Sequence, residues 1–138
     1  MAGKSDYTEN NLLAFIFRGT AFPVPAGLYV ALFTTTPSAD AGSGGVEVSG
    51  GSYARQAVTR NTTEWKDPST ATQGLTENNN AITFPTASAN WGTVVGAGVY
   101  DAASAGNLLY FGTLAASKVV NSGDVFKFNA GDFEVTED

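Results

Sequence analysis

From Pro23 to Asp132, Gly, Pro, Asn and Asp recur at intervals of roughly 8 to 12 residues, and this punctuation limits what the chain can fold into. Each residue type interrupts regular structure for its own reason. Pro has no N–H and forces the residue before it into an extended form, Gly enters left-handed conformations, and Asn and Asp close turns through their side chains. The segments left between these residues are too short for stable helices but suit strands. The spacing therefore predicts a mainly β fold, an antiparallel β-sandwich or a jelly-roll-like barrel, behind one short N-terminal α-helix. Spacing does not separate those two architectures, because it does not encode which strand pairs with which.

The helix is the exception to the pattern. Ser5, Asp6 and Thr8 offer capping oxygens, Asp6 and Glu9 complement the helix dipole, and Leu12, Leu13, Phe15 and Ile16 follow before Arg18 and a Gly19 stop. This predicts a helix over Asp6 to Arg18. Phe22-Pro23-Val24-Pro25 then forms a stiff extended connector. The expected organisation is a helix and connector over residues 1–25 and a single β domain over 26–138. The apolar face of the helix either covers one end of that domain's own sheet, the commoner arrangement, or serves as an arm docking on a neighbouring subunit. The interface candidates are Leu12, Leu13, Phe15, Ile16, Phe22, Pro23 and Pro25.

Strands are expected at Leu28 to Thr34, apolar on both faces, and at Tyr53 to Val58, with Thr62 to Trp65 extending the pairing. Further strands are expected at Ala81 to Phe84, with Ile82 and Phe84 on one face, and at Val94 to Tyr100, where Gly96 and Gly98 mark a bulge or a close backbone approach. Asp101 to Asn107 then turns into Leu108 to Leu114. A separate strand at Lys118 to Val120 precedes the Asn121-Ser122-Gly123-Asp124 turn. Val125 to Phe128, with Phe126 and Phe128 inward, and Asp132 to Thr136 complete the set. Ala39 to Gly51 reads as a long loop with little core content, and Lys66 to Asn80 as a polar, turn-rich run.

Composition narrows the chemistry. The chain has neither His nor Cys, which removes the commonest general acid/base, the most reactive nucleophile, and any disulfide or thiolate metal site. Catalysis would rest on carboxylates, and Asp101, Asp124, Asp132 and Glu134 are available for a paired-carboxylate glycosidase. The simpler reading is that such residues hold turns. No catalytic, cofactor-binding or metal-binding residue is assigned. Asp101, Ser104 and Asn107 do not have the spacing of an EF-hand loop, and Gly42-Ser43-Gly44-Gly45 lacks the ending of a phosphate loop. Trp65, Trp91, Tyr53 and Tyr110 would stack on sugars if exposed, although large aromatics are more often core.

A net charge of −6 with only 7 Lys and Arg argues against nucleic-acid and anionic-membrane partners. No apolar run has the length of a membrane helix, and Met1 to Asn11 lacks a signal-peptide layout. If the protein reaches the outside of a cell, it is expected to do so without that route, for example as part of a particle released by lysis.

Several stretches resemble a family of small tailed-phage virion proteins described as tail-fibre or decoration-type structural proteins. They are MAGKSDYTENNLL at the N-terminus, LYVALFTTTP at Leu28 to Pro37, VSGGSYARQAVT at Val48 to Thr59, ITFPTASANWGTV at Ile82 to Val94, and YDAASAGNLLYFGTL with the GDFEVTED ending. The resemblance implies a virion structural role and carries no catalytic residues. A fibre shaft needs heptads, triplets or stacked repeats, and none is visible, so the chain would be at most a knob or adaptor of a fibre. The expectation is therefore a non-enzymatic capsid decoration or cement protein, assembled in the host cytoplasm. Its partners would be other phage structural proteins, the major capsid protein first, and further copies of itself, with a trimer as the candidate stoichiometry. The alternative is a tail-fibre, tail-tip or baseplate component with a receptor-binding role.

Overall fold

The computed structural model describes residues 3–38, 43–70 and 74–137. Its centre is a six-stranded antiparallel sheet containing β1 (Gly3–Lys4), β2 (Leu28–Thr35), β3 (Val46–Glu47), β4 (Gln56–Val58), β7 (Gly92–Tyr100) and β8 (Leu108–Val120). The order is β1-β8-β7-β2, with β3 and β4 sharing the outer edge of β2. Two small antiparallel pairs accompany it: β5 (Leu75–Glu77) with β10 (Glu134–Thr136), and β6 (Ile82–Thr83) with β9 (Lys127–Phe128). One helix is present among the described residues, α1, which spans Asp6–Arg18 as its capping residues predict.

Alternation along β2 explains the layering. Val30 and Leu32 join Val94, Val99 and Leu109 in the main core, and Ile82, Phe84, Phe126, Phe128 and Phe133 from the small pairs complete it. The core thus lies between the large sheet and the small ones, a sandwich arrangement. Edge-to-face contacts chain Phe84, Phe126, Phe128 and Phe133 together. Ala31 and Phe33 face the other way, into a smaller cluster with Leu108 and Phe111. A strand that is apolar on both faces is accordingly buried on both.

The glycines of β7 act as expected. A Cβ on Gly98 would sit 2.9 Å from both Leu108 Cδ1 and Phe33 Cε2, so the smaller cluster closes only over a bare backbone. Between the pairs Val94↔Lys118 and Gly96↔Thr113 the register slips, leaving residues 114–117 opposite Val95. This bulge lets Leu108–Val120 run as one strand, where the sequence predicted two.

Three further expectations are corrected. Thr62 to Trp65 does not extend the pairing: Asn61 Oδ1 accepts from the N–H groups of Thr63 and Glu64 and forms a turn, and only Trp65 bridges, to Asn78. The run Lys66 to Asn80 contains β5, whose partner lies near the C-terminus. The stretch Ala39 to Gly51, of which residues 39–42 fall outside the described residues, contributes Val48 to the core and β3 to the sheet. Asn78 ties these loops together. It is buried, its Nδ2 donates to the carbonyls of Asn80 and Asn129, and its Oδ1 accepts from Phe133 N–H.

Replacing Gly98 by Ala should cost about 1–3 kcal/mol through overpacking, and replacing Asn78 by Ala should cost a comparable amount or more through orphaned backbone groups. Urea unfolding followed by tryptophan fluorescence measures both, and wild-type midpoints would contradict this account of either site.

Candidate functional site

The helix is anchored at one end only. Ser5 N–H donates to Leu109 O at 3.0 Å, Ser5 Oγ donates to Leu108 O, and Thr8 Oγ1 donates to Leu109 O at 2.9 Å. Ser5 also caps the helix by accepting from Thr8 N–H at 3.3 Å. Tyr7 packs against the main core. The first turn is therefore bonded to the start of β8, and Ser5 and Thr8 are buried.

Beyond that turn the sequence is apolar without a break from Leu12 to Phe17, yet the domain does not cover it. Leu13, Phe15, Ile16 and Phe17 are 56, 52, 59 and 79 % exposed, and Val24 in the connector is 73 % exposed. Leu12, Phe22 and Pro25 are half-buried, whereas Pro23 is exposed. At about 100° per residue, Leu13, Ile16 and Phe17 form one stripe and Phe15 projects from nearly the opposite side. Gly19 closes the helix in the left-handed conformation, and Arg60 Nη1 holds the end of the connector through Pro25 O at 2.9 Å. Helix and connector together form an apolar handle fastened at both ends. Sequence reading missed Phe17 and Val24 because it sought a single apolar face.

The carboxylates considered for catalysis occupy separate turns. Asp101 accepts from Asn107 N–H and Nδ2, Asp124 from Asn121 N–H, and Asp132 from Asn129 N–H and Nδ2. Glu134 is exposed on β10. Each of the three aspartates is thus engaged in holding its own loop. Among the described residues no group of three or more Asp or Glu is placed to hold a metal ion, and no helix is long and apolar enough to cross a membrane.

One polar cluster stiffens the sheet end that carries the Asp101 hairpin. Arg55 grips Glu47 with two bonds of 2.8 and 2.9 Å, and its Nη1 donates to the carbonyls of Ala102 and Ala105. Its guanidinium lies 3.5 Å from the centre of the Tyr100 ring. Tyr53 Oη donates to Glu47 at 2.8 Å and accepts from Leu32 N–H. Burial is the main cause that raises the Tyr53, Tyr100 and Tyr110 phenols above their ordinary range.

A family model, described as Podophage GP4 fiber I protein gp80, matches residues 3–136. The chain belongs to this family of phage fibre proteins. No curated protein matches it. The match covers the helix, the connector and every strand among the described residues.

Two outcomes follow from the polar cluster. Arg55→Ala removes the ion-pair partner of Glu47, leaving it only the Tyr53 hydroxyl, and the donor to two hairpin carbonyls, and should destabilise the fold by about 2–4 kcal/mol, read from chemical denaturation. Stability should hold steady in mild alkali and decline above about pH 10. There the unfolded chain releases its phenol protons while the folded chain still holds them, so the unfolded state gains. Melting temperatures measured alongside a phenolate absorbance titration test this, and stability that rises through that range would contradict it.

Proposed function

We propose that this protein is a non-enzymatic fibre component of a tailed-phage particle, attached to another phage structural protein through its N-terminal helix and connector. The observation that carries the reading is the apolar handle. Exposing Leu13, Phe15, Ile16, Phe17 and Val24 forfeits on the order of 10 kcal/mol of burial in the free chain, and a patch of that kind on a soluble protein marks an interaction site. Because Phe15 projects away from Leu13 and Phe17, the partner encloses the helix instead of lying along one side of it. The base of the handle is bonded into β8, so load on the helix passes directly to the central sheet.

The family match supports a fibre over a capsid decoration role. The absence of heptads or repeats in the sequence fits an adaptor or knob and not a shaft. Engagement of Asp101, Asp124 and Asp132 in their own turns supports the non-enzymatic reading. Assembly takes place in the host cytoplasm, before lysis.

The double variant Ile16→Asp, Phe17→Asp should keep its circular dichroism and melting temperature, since both side chains face solvent. Its abundance in purified particles should fall about tenfold or more, given about 1.5–3 kcal/mol for each buried apolar side chain. Immunogold labelling of wild-type particles should mark the tail region. Normal incorporation of the variant would remove the handle as the docking surface, and label spread over the shell would restore the decoration reading.

A further inference from the structure

The N-terminal arm, residues 3–25, consists of β1 followed by the handle, and what fastens it differs in kind from what holds the sandwich together. Among the described residues of the arm, Tyr7 alone packs against a hydrophobic cluster, and the buried side chains are the polar ones of Ser5 and Thr8. The main core closes without the arm, since its buried members all lie between Val30 and Phe133. The outer cluster depends on the arm at one point: Gly3 lies over Phe111, where a Cβ would stand 3.2 Å from the ring. The arm therefore contributes hydrogen bonds and little burial. Water largely replaces such bonds when the partners separate.

One contact joins the base of the arm to the far end of the chain. Lys4 Nζ donates to Glu137 Oε2 at 2.6 Å, and Tyr110 Oη on β8 donates to the same carboxylate. The backbone places Glu137, because its N–H donates to Gly74 O at 2.7 Å. Gly74 has a φ of +77°, and a Cβ there would stand 2.7 Å from Glu137 O, so this approach needs glycine. With β10 paired to β5, the carboxylate belongs to the sandwich and reaches across to the arm. The ion pair is partly exposed and adds little to global stability. It acts, however, on a strand that pairs with β8 through Gly3 and Lys4 alone.

The other fastening, Arg60 Nη1 to Pro25 O, is exposed. Beyond it Ala26 and Gly27 lead directly into Leu28, the first residue of β2. Pro23 and Pro25 keep the connector extended, so the chain turns at residues 26–27 once both fastenings open. Segments with few buried apolar contacts open at a lower free energy than the whole domain, and the arm is such a segment.

We propose that the N-terminal arm undocks from β8 while the sandwich stays folded, with the Glu137 carboxylate as the latch on the docked state. This rests on the handle as the point of attachment. With the helix enclosed by its partner, the docked arm holds the sandwich at a fixed angle, and the undocked arm is a joint on which the sandwich swings.

Native-state hydrogen exchange of the intact ¹⁵N-labelled chain tests this. Ser5 N–H, bonded to Leu109 O, reports on docking, whereas Val48, Phe84 and Trp91 N–H, bonded to the carbonyls of Leu32, Phe126 and Val120, report on the sandwich. Relative to its intrinsic rate, Ser5 should exchange about tenfold or more faster than those three. Lys4→Met keeps the stem without the charge, and Glu137→Gln keeps an acceptor for Tyr110. Each should raise the Ser5 rate about threefold or more and leave the sandwich amides unchanged. A Ser5 rate equal to the sandwich rates, an unchanged Ser5 rate in both variants, or a rise shared equally with the sandwich would each overturn the proposal. The wild-type comparison decides undocking even if a variant folds poorly. Exchange is read on the free chain, so uniform rates would leave the attachment reading intact, and normal particle incorporation of Ile16→Asp, Phe17→Asp would remove attachment without altering the exchange result.

Discussion

The pairing of β7 with β2 on one side and β8 on the other is the interaction on which the other elements depend. Those three strands are the only long ones among the described residues, and both hydrophobic clusters are built on their two faces. Gly96 and Gly98 make the pairing compatible with burial. A Cβ on Gly96 would lie 2.4 Å from Thr36 Oγ1, and one on Gly98 would meet Phe33 and Leu108. A bare backbone thus lets the outer cluster close, while Val94, Ala97 and Val99 supply the main core. The helix start, the Asp101 hairpin and the β3–β4 edge all attach to these strands.

Polar chemistry and apolar chemistry divide the N-terminal segment between two tasks. Hydroxyls at Ser5 and Thr8 bond the first turn to carbonyls of β8, and such bonds have direction, so they set the angle at which the helix leaves the domain. The apolar residues after them have no directional preference and no surface of their own domain to cover. An isolated helix of this length is marginal in water. Caps at both ends, Ser5 and Gly19, and the tether of the connector through Arg60 offset that weakness. A handle held in this way can present apolar side chains on more than one side without collapsing onto the sheet.

The helix was legible from Asp6 to Arg18 because a cap, a dipole charge and a glycine stop are chemistry between near neighbours in the chain. Ile82 with Phe84, and Phe126 with Phe128, were legible for the same reason, since alternation is local. β5 was not legible. Only Leu75 of its three residues is apolar, and what makes Leu75–Glu77 a strand is a partner at Glu134–Thr136 far along the chain. The continuity of β8 likewise depends on the register slip opposite Val95, which turn signals in one strand do not reveal. The sequence leaned towards a capsid decoration role on the absence of shaft-forming repeats, and the family match favours a fibre.

By itself the sequence determined a mainly β chain with one capped helix, and its lack of His and Cys removed most routes to catalysis, because these properties belong to residue types and their immediate neighbours. Tertiary structure alone decided that Leu13, Phe15, Ile16 and Phe17 remain uncovered, and that Tyr53, Trp65 and Tyr110 pack half-buried against a core that encloses Trp91. The physical reason is that burial is a property of pairs of surfaces distant in sequence. Which surfaces meet is set only when β2, β7 and β8 come into register.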